Sequence, residues 1–147
     1  SFLSERTLKM DYSLSAEEAY FVKEFIVPNR RERVCWELEH EQKRSGCIWR
    51  FAHCARELLR PSLIHPVLIQ KGEFVLDGKD FLREIGNPKV FIMDSSKERD
   101  RVIMGFQSAL DEYLGSGPYI MIDCKLTFAF IETESDCETH EFLYMHK

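Results

Sequence analysis

SSKERDRVIMGFQSALDEYLGSGPYIMI, residues 95–122, holds the patterns that set the fold class. Ser95 and Glu98 have the spacing of a capping box, in which each side chain satisfies an orphan backbone donor of the other. Val102, Ile103, Phe106, Ala109, Leu110, Tyr113 and Leu114 then recur at helical intervals, and Gly115 stands where a left-handed C-cap belongs. The spacing predicts one long helix over about 96–114. Tyr119 to Ile122 is an apolar run of strand length.

Downstream, Leu126–Ile131 and Phe142–Met145 read as further strands, separated by the polar stretch Glu132 to Thr139. Upstream, residues 64–93 read as short strands, with turns at Lys71-Gly72 and Asp77-Gly78, a brief helical piece near 80–85 and a break at Asn87-Pro88. A strand follows at Val90-Phe91-Ile92-Met93. Before these lie three helical segments. Ser15 and Glu18 form a second capping box ahead of Ala16, Ala19, Tyr20, Val22, Phe25 and Ile26, which places a helix at about 15–26. Pro28 disfavours helical geometry at Val27, and Asn29 can cap a second helix at about 30–41. Ser45 and Gly46 interrupt it, and Ile48, Phe51, Ala52, Ala55, Leu58 and Leu59 form one stripe of a third helix at about 46–60, ended by Pro61. The expected fold is therefore α+β: N-terminal helices, then a mostly antiparallel sheet with one long helix packed on it and the helices covering one sheet face. Residues 1–14 are expected to form an arm and 15–147 a single α+β domain.

A chain of 147 residues, 44% hydrophobic and 31% charged with eleven Phe, buries a sizeable core and lies far from the composition of disordered segments. Five cysteines (Cys35, Cys47, Cys54, Cys124, Cys137), odd in number and irregularly spaced, suit reduced thiols in a cytoplasmic protein. No apolar run approaches the roughly 20 residues that span a bilayer. The phosphate-cradling glycine patterns, the nucleophile elbow and the zinc-protease motif are all missing from the sequence, so nucleotide binding and the commoner hydrolytic chemistries have no signature.

Charge is uneven. Eight Arg and Lys residues between Asn29 and Arg60 surround both tryptophans, Trp36 and Trp49, whereas Asp111 to Lys147 holds eight acidic residues against two basic ones, within a net charge of −5. On a regular third helix Trp49, His53, Arg56 and Arg60 share one flank, and on the second helix Trp36, Arg33 and His40 do the same. Trp and Arg dominate binding hot spots because a rigid ring and a planar multi-donor cation give much contact for little lost entropy. These residues are the expected partner-binding surface. Glu132, Glu134, Asp136 and Glu138 alternate as strand residues do and form a second candidate surface toward a basic partner. Cys54 reads as a small buried hydrophobe.

Asp94 and Asp123 each end a predicted strand, and Asp123-Cys124-Lys125 resembles the D-x-K half of the PD-(D/E)xK nuclease signature. That resemblance implies a divalent-metal site at Asp94, Asp123 and Lys125. In that family the motif strands are joined by a tight hairpin, while here the segment 96–114 intervenes and no Pro precedes Asp94. The expectation is a non-catalytic cytoplasmic binding protein with no cofactor and a protein partner, in the manner of an immunity protein or antitoxin. A metal-dependent nuclease or nucleic-acid-binding protein is the alternative.

Overall fold

A computed structural model describes residues 13–70, 73–75, 85–133 and 139–146, with backbone alone at 65–70, 73–75 and 139–141. The expected turns at 71–72 and 77–78, most of the helical piece near 80–85, and the arm before residue 13 lie outside the described residues.

Helix α1 (Ala16–Phe25) starts at the capping box read from the sequence. The Ser15 hydroxyl accepts from Glu18 N at 3.1 Å, and Glu18 Oε1 accepts from Ser15 N at 3.0 Å. It stops at Ile26, which turns extended and bridges to Leu59. A 3-10 turn at Pro28–Arg30 leads into α2 (Arg31–Glu39), and His40 alone separates α2 from α3 (Glu41–Leu58). The break expected at Ser45-Gly46 is thus found at His40. Gly46 faces open space, so its cost of about 1 kcal/mol to a helix is borne without a clash. Ser45 is engaged elsewhere, donating to Ser95 O at 2.8 Å. Near its end α3 kinks at Cys54 (φ −128°, ψ 30°).

The strands are β1 (Ile64–Gln70), β2 (Glu73–Val75), β3 (Lys89–Asp94), β4 (Val102–Gly105), β5 (Tyr119–Asp123), β6 (Phe128–Glu132) and β7 (Thr139–His146). They form one antiparallel sheet in the order β2-β1-β7-β6-β5-β3-β4. The fold class is α+β, as the sequence patterns imply.

The long helix at 96–114 is not found. Its second half is α4 (Phe106–Tyr113), and its first half is a 3-10 turn at Lys97–Arg99 followed by β4. Arg101 takes a left-handed backbone (φ 61°), which ends any helix there. The β-branched pair Val102-Ile103 then pairs with Ile92 and Phe91 of β3. Helix α4 has a glycine N-cap, and its cap is supplied from outside the helix: Asn87 Oδ1 accepts from Gln107 N at 2.8 Å. A Cβ at Gly105 would lie 2.7 Å from that same oxygen, which accounts for the glycine.

Alternation along the strands builds two cores. Phe91, Met93, Ile120, Ile122, Ala129, Ile131, Leu143 and Met145 meet α1–α3. Val90, Ile92, Met121, Phe128, Phe130, Phe142 and Tyr144 lie on the other face with Phe106, Ala109, Leu110 and Tyr113 of α4. Helices therefore cover both faces rather than one, which is why the described part of β5 and β6 is buried at every position.

Candidate functional site

Both indoles stand on the surface. Trp36 is 41% exposed and Trp49 42% exposed. Each is stacked on the histidine one helical turn later: Trp36 on His40 with ring centroids 4.1 Å apart, and Trp49 on His53 at 5.4 Å and 9° between planes. The Arg33 guanidinium lies 4.8 Å from the Trp36 ring, and His40 Nδ1 is 2.5 Å from Trp36 O. These contacts restrict the rotamers of both rings.

Three of the eight surrounding basic residues, Arg33, Arg44 and Arg50, are paired with carboxylates inside the molecule. Glu37 is 4% exposed and its Oε1 receives both Arg33 Nε at 3.2 Å and Arg50 Nη2 at 2.5 Å. Arg44 is buried: Nε and Nη2 bind Asp100, and Nη1 lies 2.5 Å from Glu18 and 3.2 Å from Leu38 O. Burial disfavours the Arg44 charge, yet the bonds from Asp100 and the charges of Glu18 and Asp100 outweigh it, and its pKa is raised. Arg60 leaves the expected stripe. Helix α3 ends at Leu58, and Arg60 instead donates from its backbone to Phe25 O at 2.8 Å and from Nη1 to Glu24 O at 3.1 Å.

Two concavities lie along α3. The first, of about 260 Å³, is walled by Glu41, Arg44, Ser45, Asp94, Lys97 and Asp100. The second, of about 250 Å³, is walled by His53, Cys54, Arg56, Glu57 and Thr133 among others. Ser45, Trp49 and His53 follow one another at four-residue steps, so Trp49 stands on the flank between the two, whose ends are about 12 Å apart along the helix. His53 and Arg56 stay together at the second concavity. Cys54 is exposed at the kink, not buried as its neighbours suggested.

The acidic candidate surface divides. Glu134, Asp136 and Glu138 lie outside the described residues. Glu132 points inward, 8% exposed, and its Oε1 accepts from Tyr119 OH at 2.9 Å and Gly115 N at 3.0 Å. Burial and then the Glu132 charge hold the Tyr119 phenol well above its ordinary pKa. Glu132 is thus a structural acceptor rather than a ligand for a basic partner.

The three metal-site candidates are not brought together. In the β3–β5 ladder Asp94 pairs with Tyr119 and Asp123 with Val90, so the two carboxylates sit at opposite ends of the strands, about 13 Å apart along them. Asp123 holds the β5–β6 turn, accepting from Lys125 N at 3.2 Å and from both the N and the hydroxyl of Thr127. Lys125 is an exposed turn residue. Among the described residues no cluster of three metal-binding side chains occurs, and no helix is long and apolar enough to cross a membrane.

Sequence reasoning missed the joining of Glu18, Arg44 and Asp100: Glu18 shows in the sequence as a capping-box residue, but it and Asp100 stand 26 and 56 positions from Arg44, and no local pattern marks the pairing. Comparison with protein-family models, with curated proteins and with solved structures gave no match.

Proposed function

We propose that this is a non-catalytic binding protein that recognises another macromolecule through the exposed face of α2 and α3, with Trp36 and Trp49 as its anchors. One observation carries the reading: two tryptophans, each about two-fifths exposed, are each pre-stacked on a histidine. Exposed indoles of this kind are the residues on which binding free energy concentrates, and rings already held in one rotamer lose little entropy on contact. Arg33, above Trp36, and Arg56, beside His53, supply the polar rim. With Arg33, Arg44 and Arg50 already paired to internal carboxylates, aromatic contact rather than a strong cationic field drives the recognition. An immunity-type or antitoxin-type inhibitor, working by occlusion, is the style of protein this describes.

The test compares what the wild type, Trp36→Ala and Trp49→Ala retain from the native host. The expected result is a partner held by the wild type and lost by both folded variants. Identical partner sets would refute the assignment. Retention of nucleic acid alone, with affinity falling steeply as salt rises, would move it to single-strand stacking on the indoles.

A further inference from the structure

On the tryptophan face a single buried carboxylate serves two exposed cations. The Glu37 side chain is 6% exposed, and its Oε1 accepts from Arg33, whose side chain is 63% exposed, and from Arg50, 46% exposed. Two guanidinium charges against one carboxylate leave one positive charge where α2 meets α3. Glu37 takes only Nε of Arg33 and Nη2 of Arg50, and a guanidinium has further N–H donors in the same plane. Those of Arg33 have no acceptor among the described residues, and they lie beside the exposed Trp36 ring, whose centroid is 4.8 Å from the guanidinium carbon.

Such a pair suits a carboxylate. A planar guanidinium meets a carboxylate through parallel N–H···O bonds, and its weak hydration makes the exchange of water for a partner oxygen cheap. We propose that the tryptophan face recognises an acidic polypeptide segment, in which an Asp or Glu side chain docks on Arg33 and Arg50 while an adjoining apolar side chain covers the Trp36 ring. The inference rests on the reading of this face as the binding surface and adds the chemistry of its partner. Charge balance selects a polypeptide over a nucleic acid. From Arg30 to Leu58 five exposed basic residues stand among four exposed acidic ones, Glu32, Glu39, Glu41 and Glu57, an excess of one. A phosphate backbone draws its affinity from many cationic contacts and would meet those glutamates along its path, whereas one carboxylate needs only the arginine pair.

The test follows the indole N–H resonances of the full chain at low ionic strength, with the Trp36 signal identified by its loss in Trp36→Ala. The probes are an end-blocked Leu-Glu-Leu peptide, its Leu-Gln-Leu counterpart and oligothymidylate. The acidic peptide should shift the Trp36 signal saturably, and the Gln peptide should bind about three- to fivefold more weakly, the scale of an exposed ion pair of good geometry. Arg33→Gln and Arg50→Gln should each cost a similar factor, and both side chains are exposed enough for the substitutions to leave the core intact. Arg33→Lys keeps the charge and loses the planar fork, so it should fall between wild type and Arg33→Gln. No saturable shift with the acidic peptide, equal affinity for the Glu and Gln peptides, or full binding in both Gln variants would overturn the proposal. Tighter binding of oligothymidylate than of the acidic peptide would overturn it in favour of nucleic acid. The tryptophan reading fails separately, on identical partner sets from the native host, and equal binding of the two peptides at Trp36 would leave it standing.

Discussion

Replacing Arg44 by Met keeps most of the side-chain volume and removes the guanidinium that joins α3 to α1 and to the β3–β4 connection. The side chains of Arg44, Glu18 and Asp100 are 5%, 1% and 12% exposed, so the substitution leaves two carboxylates facing each other with little water. Removing one partner of a buried ion pair costs about 3–5 kcal/mol, and here three hydrogen bonds and a second ion pair go at once. A loss of about 4 kcal/mol, at a urea slope of about 2 kcal/mol per M, lowers the unfolding midpoint by roughly 2 M. The assay is equilibrium urea unfolding followed by far-ultraviolet circular dichroism. Adding Glu18→Gln to Arg44→Met should recover about 1–2 kcal/mol, because it deletes one stranded charge while Gln still serves a capping box. A single-variant cost below about 1 kcal/mol, or a double variant weaker than the sum of the singles, would refute the claim that this triad holds the layers together.

Burial pushes the Cys47 thiol up to about 11, and burial followed by Glu39 does the same to Cys35, so both are almost wholly protonated at neutral pH. Peptide mapping after brief thiol labelling at pH 7 should find exposed Cys54 modified first and Cys47 only after unfolding; early Cys47 labelling would contradict the packing of α3. Desolvation raises the Asp94 pKa above its ordinary value, so its contribution to stability is full below the unfolded carboxyl pKa and is lost as pH rises through the folded one. Asp94→Asn should therefore be as stable as wild type or more so at pH 7, and a lower urea midpoint there would count against the assigned desolvation. Asn87→Ala should cost about 1 kcal/mol through loss of the α4 cap, and Gly105→Ala should cost less in that background than alone, since the contact at 2.7 Å is gone; equal costs in a double-mutant cycle would exclude the contact.

The sequence was legible where structure is local. Ser15 and Glu18 announce α1 because a capping box closes within one turn, and apolar runs announce β3, β5 and β6 because burial on both faces favours apolar residues along most of each strand, the buried carboxylates standing at their ends. The stretch at 96–114 misled because Val102, Ile103 and Phe106 fit a helical stripe and a strand entering a helix equally well. The choice lay with β3, which offered Val102 and Ile103 a ladder, and with the left-handed Arg101. At the candidate surface, Trp36 with His40 and Trp49 with His53 were legible from four-residue spacing. Arg60 was not, since the chain leaves the helix just before it. Asp94 and Asp123 looked like a pair only until the antiparallel register set them at opposite strand ends.

Strand β7 lies between β1 and β6, and Ile64 pairs with Met145 about 80 residues later. Closing that span costs roughly 4 kcal/mol of chain entropy beyond a fixed term, the largest such cost of any ladder in the described sheet. Without β7, β6 and β1 would each present an unpaired edge. Strand β7, third in the order of seven, thereby covers two edges at once and leaves β2 and β4 as the outer strands of the described sheet.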